Sequence, residues 1–174
     1  VREHHPGLCL VAENLGIISA EVEALRHQFS LPGMLILQFA FDGNPDNPYL
    51  NHRHHRGDIV YTGTHDNDTT LGWFESLPVD IRDNVYRYFG SPETTMPWML
   101  IEQAMASPAN TAMVPWQDFL ALDSSARMNT PGSSAGNWHW RFEWGQVPAD
   151  LHERIHCLAQ QHKRLRNGAK SQVA

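Results

Sequence analysis

The chain has 174 residues, which corresponds to one domain or to part of a larger one. With 41% hydrophobic and 18% charged residues, its composition favours a globular core over disorder. The formal net charge of -6 gives no electrostatic case for a nucleic acid or an anionic membrane as partner, and the longest apolar runs are too short to span a bilayer.

Short, almost wholly apolar segments alternate with segments of helical spacing. Buried strands are predicted at residues 8–12, 34–41, the apolar start of 57–70, and 111–115. Helices are predicted from Ser19 to before Pro32 and over 69–77, 78–90, 96–106, 120–127 and 148–166, with 91–93 as a link. This alternation is typical of a parallel sheet with helical crossovers, so the predicted fold class is α/β.

Four strands are too few for a closed barrel of eight, and the pattern leaves two architectures open. One is a small open α/β sheet, and the other is half of a barrel. The chain begins only a few residues before the first predicted strand, which we interpret as a cut within a larger domain.

Neither the cysteines nor the histidines predict a metal site. Cys9 and Cys157 lack metal-binding or CxxC spacing, so we expect buried free thiols and a cytoplasmic location. The histidines of residues 52–56 are interleaved with arginines that would repel a cation, and we expect a solvated loop there. No GxGxxG, Walker or GxSxG motif is present, and no cofactor is predicted.

Polar side chains stand at the carboxyl ends of the predicted strands. They are Glu13, Gln38 with Asp42, the cluster His65-Asp66-Asn67-Asp68, and Gln117-Asp118. In a parallel sheet these ends meet at one edge, where α/β folds place catalytic groups. Carboxylates beside aromatic residues suit glycosyl chemistry, because one carboxyl exchanges a proton while others stabilise positive charge at the anomeric carbon. A turn in which residues 66–68 only cap the next helix is an equal alternative at this point.

Several short motifs follow one another between residues 8 and 145. They are VAENLG at 11–16, PGM at 32–34, LQFAF at 37–41, YTGTHDNDTT at 61–70, RMNTPG at 127–132, and GNW with WR at 136–141. In sequence and order they resemble 4-alpha-glucanotransferases of the amylomaltase or disproportionating-enzyme family, glycoside hydrolase family 77. One motif alone could match by chance, whereas the ordered series is specific.

The resemblance implies a fold, a reaction and partners. The fold would be the C-terminal half, strands five to eight, of a TIM-type (β/α)8 barrel, with residues 1–174 in a single catalytic domain and no separate second domain. The reaction would transfer α-1,4-glucan segments from maltooligosaccharide or starch donors to glucose or glucan acceptors by a retaining double displacement. The partners would be these glucans and the N-terminal half of the barrel.

The same resemblance implies roles for individual residues. Glu13 matches the general acid/base, and Asp66 matches the carboxylate that holds sugar hydroxyls in the distorted transition state. The matches to sugar-binding positions are His65, Phe39, Asn129, Asn137 and Trp138. For Phe39 and Trp138, packing is an equal alternative, and Asp68 with Thr69 is expected to start the following helix.

The chain departs from the family pattern in two places. Position 14 is Asn where the family commonly has Asp, which removes a charge beside Glu13 without abolishing function. The family's nucleophile, the Asp of an Arg-x-Asp motif at the end of strand four, cannot be assigned in these residues. Because a retaining mechanism needs it, we expect the chain alone to be inactive. A related α-glucan hydrolase and a non-catalytic carbohydrate-binding α/β module are the alternatives.

Overall fold

Three parallel strands form the sheet of the computed structural model, which describes residues 4–5, 7–90 and 95–165. They are β1 (Met34–Ile36), β2 (Ile59–Tyr61) and β3 (Thr111–Met113), and they lie side by side in this order. Leu35 pairs with Val60, which in turn pairs with Ala112. Since all three strands run the same way, their carboxyl ends share one edge. The predicted α/β class with a parallel sheet is confirmed.

Six α-helices surround the sheet in the described residues. They are α1 (Ala20–Gln28), α2 (Thr70–Ser76), α3 (Val79–Phe89), α4 (Trp98–Ala106), α5 (Trp116–Phe119) and α6 (Leu151–Gln161). Short 3-10 turns occur at Leu37–Phe39, Asn51–Arg53, Ser124–Ala126 and Trp144–Gln146. Ser19 caps α1 as predicted, because its hydroxyl accepts a hydrogen bond from the amide of Val22. The predicted link over 91–93 lies outside the described residues.

The main core lies between the sheet and the helices α2 to α4. Its completely buried members include Val60 of β2, Val85 of α3 and Leu100 of α4. A second cluster forms where Trp98 of α4 meets Leu151 of α6. Removal of this apolar surface from water stabilises the packing of the helices against the sheet.

The segment 8–12, which was predicted as a buried strand, is not a strand. Leu8 is 54% exposed and Val11 is 46% exposed. Within the described part of the chain, one backbone hydrogen bond joins this segment to the region before β1, from the amide of Ala12 to the carbonyl of Pro32 at 2.9 Å. A strand requires a repeated ladder with a neighbour, and a single bond does not supply one.

The predicted strand over 34–41 is also shorter than expected. β1 ends at Ile36, and the chain then forms the 3-10 turn Leu37–Phe39. The buried side chain of Gln38 explains the change of direction, because its Nε2 donates to the carbonyl of Asp68 at 3.0 Å. Gln38 is thereby placed under the tip of β2.

The loop with three histidines is not wholly solvated, which corrects the expectation. His54 is buried, and its ring contacts the Ser107 hydroxyl at 2.8 Å and the Tyr49 carbonyl at 2.9 Å. Burial lowers the pKa of His54. His54 is therefore a hydrogen-bonded core histidine, while its neighbours His52 and His55 are exposed.

The two cysteines differ from their predicted environment. Cys9 and Cys157 are both free, and both are exposed rather than buried. Cys9 is exposed because its segment lacks a ladder of strand neighbours, and Cys157 lies on α6. The cytoplasmic location that was inferred from buried thiols stays a prediction. In the described ranges, no helix has the length and apolar character needed to cross a membrane.

Helix α6 is shorter than the helix predicted over 148–166. It covers Leu151–Gln161, and Arg164 then leaves the helix. The Arg164 guanidinium donates to carbonyls at the end of α4, including that of Ser107 at 2.7 Å. Its positive charge therefore stabilises the C-terminus of α4 rather than that of its own helix. Arg166, the predicted end, lies outside the described residues.

Candidate active site

The carboxyl ends of β2 and β3 open into a cavity of about 430 Å³. Tyr61 and Met113, the last residues of these strands, lie in its wall. Its polar lining includes Glu13, His65, Asp66, Asp68 and Gln117. Glu13, the cluster of residues 65–68 and Gln117 thus share one space. Gln38, Asp42 and Asp118, which the sequence also assigned to strand ends, do not line it.

A tight turn after β2 presents His65 and Asp66. The side-chain oxygen of Asn67 accepts hydrogen bonds from the amide of Thr64 at 2.9 Å and from its hydroxyl at 2.8 Å. The Thr64 hydroxyl oxygen accepts in turn from the amide of Asp66 at 3.2 Å. This local network explains the spacing of Thr, His, Asp and Asn in the motif, since the turn closes on itself and leaves His65 and Asp66 at its exposed tip.

The carboxylate of Asp66 has two polar neighbours. Its Oδ1 accepts a hydrogen bond from Asn129 Nδ2 at 2.5 Å and lies 3.3 Å from His65 Nε2. The guanidinium of Arg127 holds the main chain at this point by donating to the Asp66 carbonyl at 2.7 Å. The Asp66 side chain is still 47% exposed, so the carboxylate is oriented and yet accessible to a ligand.

Asp68 and Thr69 together start α2, as predicted. Thr69 is the N-cap, because its hydroxyl accepts from the amide of Gly72 at 3.1 Å. Asp68 accepts from the amide of Thr69 at 2.8 Å and from the hydroxyl of Ser124 at 2.7 Å. The capping turn and the candidate site are therefore parts of the same segment.

Asp118 is a buried carboxylate behind the site, and its role was not predicted. It accepts hydrogen bonds from the Thr62 hydroxyl at 2.6 Å, the Thr70 amide at 2.8 Å and the Thr70 hydroxyl at 2.7 Å. Burial raises the pKa of Asp118, and the hydrogen bonds from the two threonines oppose this rise. Two features of the sequence could have indicated this role, namely the acidic residue shortly after β3 and the threonines at both ends of the 62–70 segment.

Gly63 allows Gln38 to pack directly beneath the site. A Cβ atom at position 63 would lie 2.6 Å from Gln38 Nε2, closer than atoms can approach. Gln38 fills this space while it holds the carbonyl of Asp68. The glycine of the TGTHDND motif thus leaves the space that the end of the Gln38 side chain occupies, and a larger residue would displace it.

The long loop over 128–138 brings two of the predicted residues to the site. Asn129 contacts Asp66, as described above, and the ring of Trp138 lies 5.1 Å from the ring of His65, measured between centroids. The amide of Trp138 donates to the carbonyl of Met128 at 2.7 Å, which closes the loop at its base. Trp138 remains 54% exposed, so one aromatic surface is available beside His65.

Two predicted residues do not join this group. The side chain of Asn137 accepts from the amide of Thr130 and donates to the carbonyl of Ser133, both at 2.9 Å, and thereby braces the loop internally. Phe39 packs edge-to-face on Tyr49, with 5.6 Å between the ring centroids, and is not part of the cavity lining. Sugar-binding roles for Asn137 and Phe39 stay predictions.

Chemically, the cavity combines a proton donor and acceptor with an oriented anion. Glu13 is exposed and lines the cavity together with His65 and Asp66, and Asn129, which is outside this lining, donates to the Asp66 carboxylate. Such a set can exchange a proton and hold hydroxyl groups. Among the described residues, no group of three or more His, Cys, Asp or Glu side chains is arranged to hold a metal ion.

Comparison with known proteins gives consistent matches. A family model described as 4-alpha-glucanotransferase matches residues 1–147. The chain is 50% identical over 133 residues to the chloroplastic/amyloplastic 4-alpha-glucanotransferase of Oryza sativa subsp. japonica, covering 76% of this chain and 22% of that protein. It is 45% identical over 164 residues to the 4-alpha-glucanotransferase of Thermus thermophilus, covering 90% and 33%. The chain thus spans only about a third or less of these relatives.

Solved structures show a related backbone. The amylomaltase from Streptococcus agalactiae in complex with acarbose matches with a TM-score of 0.89 and 29% identity, over 95% of this chain and 34% of that chain. The amylomaltase from Corynebacterium glutamicum matches with a TM-score of 0.64 and 18% identity, over 91% and 29%, which is evidence for the fold alone.

Proposed function

Because this chain belongs to the 4-alpha-glucanotransferase family, as its motifs predict, we propose that it is part of an enzyme that transfers α-1,4-glucan segments. The donors would be maltooligosaccharides or starch, and the acceptors glucose or another glucan. The observation that carries this proposal is the shared cavity, in which Glu13 and Asp66 face the same space while Asn129 holds the Asp66 carboxylate. A further part of the protein would complete the site.

We propose that the chain forms strands five to eight of a TIM-type barrel, within a single catalytic domain. Three parallel strands with their polar ends at one edge support this arrangement. The segment 8–12 supports it as well, since an apolar run with an exposed Leu8 and Val11 would gain a ladder from a preceding strand. The partner that supplies that strand would be the N-terminal half of the barrel.

In the proposed mechanism, Glu13 protonates the glycosidic oxygen as the donor is cleaved. A nucleophilic Asp from the N-terminal half forms the covalent glycosyl intermediate. Glu13 then removes a proton from the incoming 4-hydroxyl of the acceptor. Asp66, oriented by Asn129, holds sugar hydroxyls and stabilises positive charge at the anomeric carbon.

Transfer rather than hydrolysis requires that an acceptor hydroxyl reacts faster than water. The exposed ring of Trp138 beside His65 offers a surface on which an acceptor sugar can stack. A sugar held there would have a high effective concentration at the reacting centre. This location of the acceptor explains why an open cavity can favour transfer.

The test uses a chimera in which this chain replaces the segment that it matches in the T. thermophilus relative. Incubated with maltotriose, the chimera is expected to yield glucose and a ladder of longer maltodextrins. Glu13→Gln should lower the rate by about 100- to 10,000-fold, because a general acid/base contributes that much. Glu75→Gln, which alters an exposed carboxylate on α2, serves as the matched control.

Other products would identify another function. Short hydrolysis products without a ladder would indicate an α-glucan hydrolase. Maltotriose binding without turnover would indicate a carbohydrate-binding module. The isolated chain is expected to be inactive, and measurable disproportionation of maltotriose by it would contradict the need for an upstream nucleophile.

A further inference from the structure

Few backbone contacts hold the segment that carries Glu13. Residues 8–12 form no strand, and in the part of the chain that the structure describes the backbone of this segment is joined to the region before β1 by the hydrogen bond from the amide of Ala12 to the carbonyl of Pro32. A catalytic acid must be placed accurately, yet this segment is exposed up to Val11. Another contact must therefore fix the chain on the other side of Glu13.

The side chain of Asn14 makes that contact. Its Oδ1 accepts a hydrogen bond from the amide of Met34, at the start of β1, at 2.8 Å. Its Nδ2 donates to Oε1 of Glu23 on α1 at 2.9 Å. The orientation of the carboxamide follows from chemistry, because a backbone amide can only donate and a carboxylate can only accept. Asn14 therefore connects the Glu13 segment to both the sheet and a helix.

Glu23 is itself held firmly. Arg26 donates from Nε to Oε2 of Glu23 at 2.9 Å, and the Arg26 side chain is only 11% exposed. Arg26 also donates to the carbonyl of Leu31 at 2.8 Å and to the carboxylate of Asp58 at 3.3 Å. Although burial works in the opposite direction, hydrogen bonds from Arg26 and Asn14 keep the pKa of Glu23 below its usual value.

Gly33 leaves room for the side chains of Asn14 and Arg26. A Cβ atom at Gly33 would lie 3.0 Å from both polar atoms of Asn14 and 3.0 Å from Cζ of Arg26. Such a contact is tighter than most that real Cβ atoms make, so a larger residue would push the carboxamide or the guanidinium aside. The backbone before β1 is therefore compatible with the Asn14 contact because position 33 is glycine.

We infer that Asn14 is a positioning residue for Glu13. Through its bonds to Met34 and Glu23, it fixes the segment from which Glu13 reaches the cavity. Asn14 therefore acts through the geometry of the chain rather than through the loss of a charge beside Glu13. This inference rests on the proposed role of Glu13 as the acid/base.

The acceptor atom is the part of Asn14 that this contact needs most. Asn14→Asp would keep an acceptor for the amide of Met34. Its second oxygen would face Glu23, but the positive charge of Arg26, which lies beside both residues, would offset the repulsion between the two carboxylates. A side chain without an acceptor at position 14 would instead release the Glu13 segment from β1.

The experiment compares variants of the chimera in maltotriose disproportionation. Asn14→Ala is expected to lower kcat by about 10- to 100-fold, because it removes the acceptor for the amide of Met34, and a misplacement of about 1 Å at a reacting group has an effect of that size. KM is expected to change by less than about two-fold, since the 62–70 segment and its binding groups are untouched. Glu21→Gln, an exposed acid on the same turn of α1, is the control and should leave both constants unchanged.

A conservative variant supplies the decisive readout. Asn14→Asp keeps an acceptor for the amide of Met34, which Asn14→Ala lacks. We expect Asn14→Asp to retain most of the kcat that Asn14→Ala loses. Glu23→Gln alone weakens the contact to α1 and should lower kcat by less than Asn14→Ala, so the test does not depend on the folding of one variant.

Two results would overturn the positioning role. One is an Asn14→Ala chimera whose melting temperature falls while kcat stays within about two-fold of the parent. The other is an Asn14→Asp variant that is no more active than Asn14→Ala. A parent chimera without transferase activity would instead overturn the proposed function, so the two failures are distinguishable.

Discussion

Thr70 donates two hydrogen bonds to the buried carboxylate of Asp118, one from its amide at 2.8 Å and one from its hydroxyl at 2.7 Å. Thr62 donates a third at 2.6 Å. Since Thr62 and Thr70 lie at the two ends of the segment with His65 and Asp66, a single carboxylate fixes both ends of the turn. Asp118 itself is 1% exposed and does not line the cavity.

Asp118→Ala should therefore be strongly destabilising. The change leaves the donors of Thr62 and Thr70 buried without an acceptor, and we expect the free energy of unfolding of the chimera to fall by about 3 to 5 kcal/mol. Urea unfolding monitored by circular dichroism measures this loss. Asp83→Asn, at an exposed position on α3, is the control and should be nearly neutral. A loss below about 1 kcal/mol for Asp118→Ala would show that the three contacts are weak.

Gly63→Ala tests the packing beneath the site. The added Cβ would lie 2.6 Å from Gln38 Nε2, so Gln38 must move and lose its bond to the carbonyl of Asp68. We expect a loss of about 1 to 3 kcal/mol in the free energy of unfolding, as is typical of overpacking. Gly57→Ala is the matched control, because nothing lies within 4 Å of a Cβ at that position. Equal stability of the two variants would contradict the proposed close packing.

His54 should make stability depend on pH. Its folded-state pKa is lowered from the usual 6.5 by burial, so the unfolded chain binds this proton more readily than the folded one. The stabilisation by the neutral ring is complete above the unfolded pKa and is lost as pH falls from there towards the lower folded pKa. Urea unfolding at about pH 7.5 and about pH 5.5 measures the change.

Two histidine variants separate this effect from the titration of other groups. His54→Gln should be less stable at neutral pH, because a buried hydrogen-bonded ring is lost, but it should show a smaller decrease on acidification. His52→Gln, at an exposed position of the same loop, should keep the full decrease. An unchanged decrease in His54→Gln would assign the pH dependence to another group.

Asn129→Ala tests the orientation of Asp66. The variant removes the hydrogen bond from Asn129 Nδ2 to Asp66 Oδ1, and under the proposed function the carboxylate would be less well oriented in the transition state. We expect kcat/KM of the chimera for maltotriose to fall by about 10- to 100-fold with little change in melting temperature. Asn110→Ala, at an exposed position, is the control. Activity at the parental level would show that Asn129 is not needed to orient Asp66.

The sequence predicted the sheet because its evidence is local. Apolar runs at 34–36, 59–61 and 111–113 are parallel strands, and polar residues after the second and third of them line one cavity. The run at 8–12 looks the same in sequence, yet a strand also needs a neighbouring backbone. Hydrophobic pattern alone does not reveal whether that neighbour is present.

Residues whose role depends on distant parts of the chain were harder to predict. The role of Asp118 depends on its hydrogen bonds to Thr62 and Thr70, which are far from it in sequence. The burial of His54 likewise depends on a contact with the distant Ser107. In the loop over 128–138, two asparagines have equivalent chemistry, but only Asn129 contacts Asp66. Which of the two asparagines contacts Asp66 depends on tertiary packing, which sequence spacing does not predict.

The guanidinium of Arg127 donates to the carbonyl of Asp66 at 2.7 Å and to the carbonyl of Asn129 at 2.8 Å. The strand tip and the long loop are therefore coupled as one mechanical unit. A displacement of the loop would carry the backbone of Asp66 with it, because one guanidinium is bonded to both.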